Sequence, residues 1–371
     1  MLPDPYPPDP HELQVKRQRL LQLMQAHRLE AILLTRLSNF FWYTGGRDCS
    51  IFVSLERGEA GLWISPDRRA LIVPNVEAAR LAEEEGLADQ GYEFVVQPWW
   101  QPGSALARLS EGKRWGADWA LPGAMDLSEE IARLRWQLTP VELERFRWLG
   151  KASALTLEHV AANIQPGQSE RHIAGWLTQE ALTRSVTPTL TLVGTDERIW
   201  RYRHPIPTEK PLERYAMLVI CGRRWGLVAS ATRLVHFGTP PQELERRLRA
   251  VAQVDGVYIH ATRQGTPIAE IFKKAADAYA QVGFPLEWQK HYQGGAAGYE
   301  SREYESSPDS QEVVLLDMAY AWNPSITGVK SEDTFLLTAA GREMITETGG
   351  WPQLEVVVEG ETIRRPDILR H

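Results

Sequence analysis

The sequence predicts two domains: an α/β domain over residues 1–135 and an α+β domain over residues 136–371. Three observations carry this division. The chain has 371 residues, long for one core and sufficient for two. In the first third, short apolar runs alternate with helical stretches, the pattern of a mixed sheet packed against helices. Beyond residue 180 strand-like runs dominate, interrupted by only two helical stretches.

The elements follow in order. The proline-rich start, MLPDPYPPDP, predicts an irregular arm. Leu13, Leu20, Leu21, Leu23 and Met24 form an apolar stripe that predicts a helix from about 11 to 28. AILLTR then reads as a strand, followed by a turn-prone segment ending at Gly45-Gly46. IFVSL, GLWISP and RALIVP read as short strands, Val76 to about Glu85 as a helix, and YEFVVQ and RWGADWA as strands. MDLSEEIARLRWQL is helical in pattern, with Asp126 as its cap. Thr139, Pro140 and Glu142 have the spacing of a capping box with proline at the first helical position. They predict a long helix that stops at Pro166-Gly167, with Ser169 opening the next. PTLTLVG, YAMLVICG, WGLVASATRLVHF, QEVVLLDMAYAW and EDTFLLT are strand candidates. The stretches 240–262 and 268–282 are helical, the second with Thr266 as its cap.

Composition narrows the function classes. With 43% apolar residues the chain can bury a sizeable core unaided, and 41 Lys and Arg against 48 Asp and Glu give a net charge of −7. That balance opposes nucleic-acid binding. The basic clusters at Arg133, Arg135 and Arg145, and at Arg246, Arg247 and Arg249, have acidic neighbours and read as solvated helix faces. Cys49 and Cys221 alone make no disulfide framework. The start lacks a basic region followed by an apolar run, and no stretch of about 18 apolar residues occurs. A cytoplasmic protein without membrane contact is the expectation.

Polar residues gather in four segments of the second half, around 203–210, 230–236, 291–303 and 322–333. In HYQGGAAGYESRE the glycines let the backbone approach a ligand or another strand, and His291, Gln293, Glu300, Arg302 and Glu303 surround them. This is either a pocket wall or a tight loop with a solvated charged end. An extended course after Gly298 would put Ser301 and Glu303 on one face. His204, before a polar turn, is a candidate acid–base group, or simply an exposed loop histidine. Lys330 and Glu332 share a face if extended, as a buried or a surface pair. No zinc-protease helix motif, phosphate-binding loop or nucleophile elbow occurs. The stretch from Arg214 to Gln242 has no Asp or Glu at all. Cys221, inside an apolar strand, reads as a buried inert thiol.

In this order, SNFFWYTGG, LTPVELERFRWLGKASALTLEHVAANIQPGQSE, HPIPTEKPLERYAMLVICGRRWGLVASATR, HYQGGAAGY and NPSITGVKSEDTFLL resemble the creatinase, prolidase and aminopeptidase P family over nearly the whole chain. The resemblance implies a creatinase-like N-terminal α/β domain, a C-terminal pita-bread α+β domain and a homodimer. Family peptidases hold two metal ions with two Asp, one His and two Glu. The corresponding positions here are Val219 or Cys221, Ser230, Gly295, Asn323 and Glu332, so only the last ligand is kept. One carboxylate cannot bridge two metals, and neither a metal site nor another cofactor is expected. His204, His291, Glu303 and the Thr232-Arg233 pair match other family positions, while Arg302 replaces a histidine.

Creatinase, which hydrolyses a C–N bond of a small guanidino acid without metal, is the family precedent. By that resemblance His204, Glu332 and Glu303 are the candidate catalytic groups. His291, Arg302, Arg233, Asn323 and Gln293 are the candidates for binding a small molecule or short peptide. Three functions follow: a metal-independent hydrolase of a small amide, amidine or amino-acid derivative; a noncatalytic pseudo-peptidase that binds a ligand or partner; and an Xaa-Pro peptidase, which needs the missing metal site.

Overall fold

The computed structural model describes residues 6–371. The chain folds into two compact units, Met1–Glu142 with Trp225–Leu227, and Leu143–Arg224 with Val228–His371.

The first unit runs α1 (Pro10–His27), β1 (Ala31–Arg36), α2 (Leu37–Thr44), β2 (Arg57–Ile64), β3 (Arg69–Pro74), α3 (Ala78–Glu83), β4 (Glu93–Gln97), α4 (Ser104–Ser110), β5 (Trp115–Ala117), β6 (Ala124–Asp126) and α5 (Ser128–Leu134). Its sheet has the order β4-β3-β2-β1-β5-β6. β1, β2 and β3 pair antiparallel, whereas β3/β4, β1/β5 and β5/β6 pair parallel. It is the mixed sheet that the alternating pattern predicts. One face packs Leu33, Trp63, Ile72 and Trp115 against Ala105 and Leu109 of α4, with the two indole rings 5.5 Å apart.

Helix α1 begins in a full capping box: Asp9 accepts from the Glu12 amide at 3.0 Å and Glu12 reaches back to the Asp9 amide. Two expectations fail here. IFVSL forms no strand; Ile51, Phe52, Val53 and Leu55 lie exposed in bends and turns. The turn-prone segment before Gly45 is instead α2. No local side chain caps it. Its entry is held by the buried carboxylate of Asp118, which accepts from the amides of Thr35 and Arg36 just before the helix, each at 2.8 Å, and from Asn39 Nδ2 in the first turn at 2.9 Å.

The second unit takes up α6 (Pro140–Asn163) from Leu143 and continues with α7 (Glu170–Thr183), β7 (Thr187–Thr195), α8 (Glu197–Arg201), β8 (Tyr215–Arg224), β9 (Leu227–His236), α9 (Gln242–Ala261), α10 (Ile268–Gln281), β10 (Gly294–Ala297), β11 (Tyr304–Glu305), β12 (Met318–Trp322), β13 (Ser325–Ile326), β14 (Val329–Lys330), β15 (Asp333–Thr338), β16 (Gly341–Met344), β17 (Gln353–Val358), β18 (Glu361–Pro366) and β19 (Leu369–Arg370). A four-stranded sheet, β19-β9-β8-β7, and a five-stranded sheet, β11-β10-β12-β15-β16, form its frame. They meet where Ser230 of β9 donates its amide to Thr334 Oγ1 of β15 at 2.9 Å and accepts that hydroxyl on its carbonyl at 2.9 Å. The helices cover this α+β frame, with Ile271, Phe272, Ala275, Ala278 and Tyr279 as the buried face of α10.

The boundaries at Thr139, Pro166 and Ser169 follow the sequence. Thr139 donates to Glu142 Oε2 from its amide at 2.6 Å and its hydroxyl at 2.7 Å, and Ser169 Oγ accepts from the His172 amide at 3.2 Å. Elsewhere the predicted caps shift. Asp126 ends β6 rather than capping α5, accepting from the Ser128 amide at 3.0 Å. Pro267, not Thr266, precedes α10. QEVVLLDMAYAW is a strand only from Met318, because Asp317 sits in the left-handed region at φ 56° and breaks the run.

Candidate functional site

The β8/β9 hairpin turns on Trp225 and Gly226, with φ of 52° and 80°. Across it Ser230 Oγ donates to Cys221 Sγ at 3.3 Å. Of the two positions open for the first lost ligand, Cys221 rather than Val219 therefore stands beside the second. The thiol is buried, and burial, reinforced by the Glu332 charge, raises its pKa. It is not a poised nucleophile.

Facing this pair is Glu332, 2% exposed, between β14 and β15. Its Oε2 accepts from Thr232 Oγ1 at 2.7 Å and from Lys330 Nζ at 2.8 Å, and its Oε1 from Arg302 Nη2 at 3.2 Å. Lys330 is itself only 6% exposed, so the Lys330–Glu332 pair expected from the strand pattern is a buried one. Burial would raise the Glu332 pKa, but Lys330 and Arg302 outweigh it and hold the carboxyl at about 2. At neutral pH this group is a charged ion-pair partner.

His204 and His291 meet edge on, Nε2 to Nε2 at 3.2 Å. One ring must donate and the other accept, so they share one proton between them and cannot both be charged in this geometry. Desolvation, then the charge of Lys330, lowers the pKa of His204 and takes that of His291 to about 3. The pair is neutral at pH 7. Neither ring hydrogen-bonds to Glu332, and His291 Nδ1 is buried without a partner. The adjoining Arg203 anchors the His204 loop through Glu287 Oε2 at 2.5 Å and Thr327 Oγ1 at 3.0 Å, a clamp with no signal in the sequence pattern.

The remaining candidates divide. Gln293 is a positioning group: its Nε2 donates to the His291 carbonyl at 2.8 Å and the Trp288 carbonyl at 3.1 Å, and its Oε1 accepts from Tyr279 at 3.0 Å. Asn323 is buried, its backbone N–H donating to the backbone carbonyl of Gln293 at 3.1 Å and its side-chain Oδ1 without a partner. Glu303 is turned back, Oε1 accepting from the Tyr299 amide at 2.8 Å, because the chain after Gly298 bends rather than extends. Arg233 is directed elsewhere. It is 1% exposed and donates to Glu158 at 3.2 Å, Asp333 at 2.9 Å, and the carbonyls of Thr232 at 2.9 Å and Thr346 at 2.8 Å, which uses all its N–H groups.

The donor set does not fit a metal pair. Among the described residues no group of three or more His, Cys, Asp or Glu is placed to hold an ion. At Gly295, the lost histidine position, a Cβ would stand 2.3 Å from the Tyr304 carbonyl oxygen. The positive charge near Glu332 comes from Lys330 and Arg302.

Comparison with known proteins agrees with this architecture. The model of the creatinase/prolidase N-terminal domain matches residues 16–142 and that of metallopeptidase family M24 matches residues 144–339. The chain belongs to metallopeptidase family M24, with a creatinase-like N-terminal domain and a pita-bread C-terminal domain. An uncharacterized peptidase of Staphylococcus haemolyticus is 26% identical over 233 residues, 60% of this chain and 65% of that protein. The chain thus spans less than two thirds of the curated relatives it matches. Among solved structures, the prolidase of Pyrococcus horikoshii superposes with a TM-score of 0.76 at 17% identity, covering 90% of this chain and 98% of that one. An Xaa-Pro dipeptidase of Bacillus anthracis gives 0.75 at 18% identity, covering 97% and 100%. At these identities the likeness is one of fold.

Proposed function

We propose that this M24 protein is a metal-independent, small-ligand-binding member of the family, a pseudo-peptidase whose pocket takes an amino-acid derivative or short peptide through its carboxylate. The observation that carries this is the environment of Glu332. Two cationic side chains, Lys330 and Arg302, close on one carboxylate, so the cluster has one positive charge in excess. A buried excess charge favours an anionic ligand. The neutral His204–His291 pair and the unpartnered Asn323 Oδ1 supply hydrogen-bonding groups for the rest of it.

A second reading, metal-free hydrolysis of a small C–N bond, is supported by the histidine pair alone: His204, neutral at pH 7, has the chemistry of a general base. Calorimetric titration with Xaa-Pro dipeptides and N-acyl amino acids, run beside a chromatographic assay for released amine, separates the two. Binding that is weakened in Arg302→Gln, without amine release and unchanged by chelator, supports the binding protein. Release abolished in His204→Ala and indifferent to chelator supports the hydrolase. Release that requires added manganese would overturn both.

A further inference from the structure

A second cavity, of about 760 Å³, opens within the N-terminal unit. Arg17 of α1, Arg47 beyond α2 and Arg69 of β3 line it, against one carboxylate, that of Asp89. Pro8, Pro10 and Leu13 add apolar lining. Arg17 is held by one end: Nη2 donates to the carbonyls of Ser65 at 3.2 Å and Pro66 at 2.7 Å, while Nη1 is buried without an acceptor in hydrogen-bond geometry and the guanidinium has the Tyr43 hydroxyl as a polar neighbour. Arg69 donates Nη2 to the Gln90 carbonyl at 2.8 Å and lies over the Tyr92 ring at 5.2 Å. Neither Arg17 nor Arg69 has a carboxylate partner among the described residues. Beside Arg17 stands Tyr43, 3% exposed, whose hydroxyl also lacks an acceptor. Burial raises its pKa, so it stays an O–H donor.

Buried donors without acceptors cost stability, and one of them, on Arg17, belongs to a side chain that lines a cavity with excess positive charge. We propose that this cavity is a binding site for a small organic oxyanion, a carboxylate or phosphate carried on a compact apolar body. The half-anchored fork of Arg17 and the guanidinium of Arg69 can each meet two oxygens of such an anion. The apolar lining of Pro8, Pro10 and Leu13 receives the body. The volume is in the range of small-molecule sites. The site lies wholly within the N-terminal unit and does not depend on the function proposed for the C-terminal one.

The test is calorimetric titration of the full chain with phenyl phosphate and with benzoate, at low ionic strength. Saturable binding to one site is expected, weakened about tenfold or more in Arg17→Gln and in Arg69→Gln, a loss of about one charge-assisted hydrogen bond. Arg246→Gln, which removes an exposed charge paired to Glu243, is expected to bind as the parent does. Circular dichroism checks the fold of each variant, and Arg69→Gln carries the test if Arg17→Gln fails to fold. Preference between the two probes tells phosphate from carboxylate. Absence of saturable binding by either probe, or binding that survives both arginine substitutions, overturns the proposal.

Discussion

The ammonium of Lys330 stands 2.8 Å from the carboxylate of Glu332, and both side chains are almost completely buried. Each ion has shed its water and relies on the other, with Arg302 and Thr232 completing the shell of Glu332. Removing one partner strands the other in a poor solvent for charge. Lys330→Met and Glu332→Gln are each expected to lower unfolding stability by about 3–5 kcal/mol. The double variant is expected to recover part of that loss. Urea titrations of the two single variants and the double variant measure the coupling directly.

The same pair predicts how hard the metal site is to rebuild. Cys221→Asp, Ser230→Asp and Asn323→Glu would add three carboxylates, but Lys330 and Arg302 would still supply the charge they neutralise. Manganese content by elemental mass spectrometry is expected to stay well below one ion per chain in this triple variant, and to rise only when Lys330→Met is added. Gly295→His is expected to destabilise instead of contributing a ligand, since its Cβ would collide with the Tyr304 carbonyl.

His291 sets a pH dependence with a definite sign. Its folded pKa is depressed to about 3, so the unfolded chain binds the proton first as acid is added. The stability it contributes is complete above its ordinary pKa of about 6.5 and is lost as pH falls toward 3. Glu332, also depressed, reinforces the slope below about 4.5. Asp255 acts the other way: burial in the Arg365–Ser331 network raises it to about 6, so its contribution is present below about 4 and is lost as pH rises through 6. Thermal melts of the parent, His291→Gln and Asp255→Asn between pH 4 and 8 are expected to show slopes of opposite sign removed by the two substitutions. A histidine NMR signal from His291 titrating near pH 6.5 would contradict the first.

Part of this is legible in the sequence and part is not, for physical reasons. Loss of the metal ligands is readable because each position needs a particular donor atom and Ser230, Gly295 and Asn323 do not supply it. The Lys330–Glu332 pair is readable as a shared face, since side chains two apart in a strand lie together. That the pair is buried is not, because Thr232 and Arg302 arrive from remote elements. Arg233 illustrates the converse. As a motif residue it reads as a ligand-binding cation, yet Glu158 from α6 and Asp333 from β15, 75 and 100 positions away, consume its donors. Helix α2 escapes a local reading because the carboxylate that holds its entry, Asp118, lies about 80 positions further along the chain.

That carboxylate gives the last prediction. Asp118 is fully buried and its two oxygens accept from the amides of Thr35 and Arg36, the Thr35 hydroxyl and Asn39 Nδ2. The carboxylate also faces the positive end of α2, where a negative charge is favoured. Asp118→Ala would leave several buried donors unsatisfied at once, each costing about 1–3 kcal/mol, less than additively. A loss of at least about 3 kcal/mol is expected, confined to the N-terminal unit. Asp118→Asn keeps one acceptor and is expected to lose less. Hydrogen exchange tells this from general unfolding: the amides of Leu37–Thr44 are expected to lose protection in Asp118→Ala while those of β8 and β9 keep theirs. Equal loss in all three segments would mean that Asp118 does not act locally.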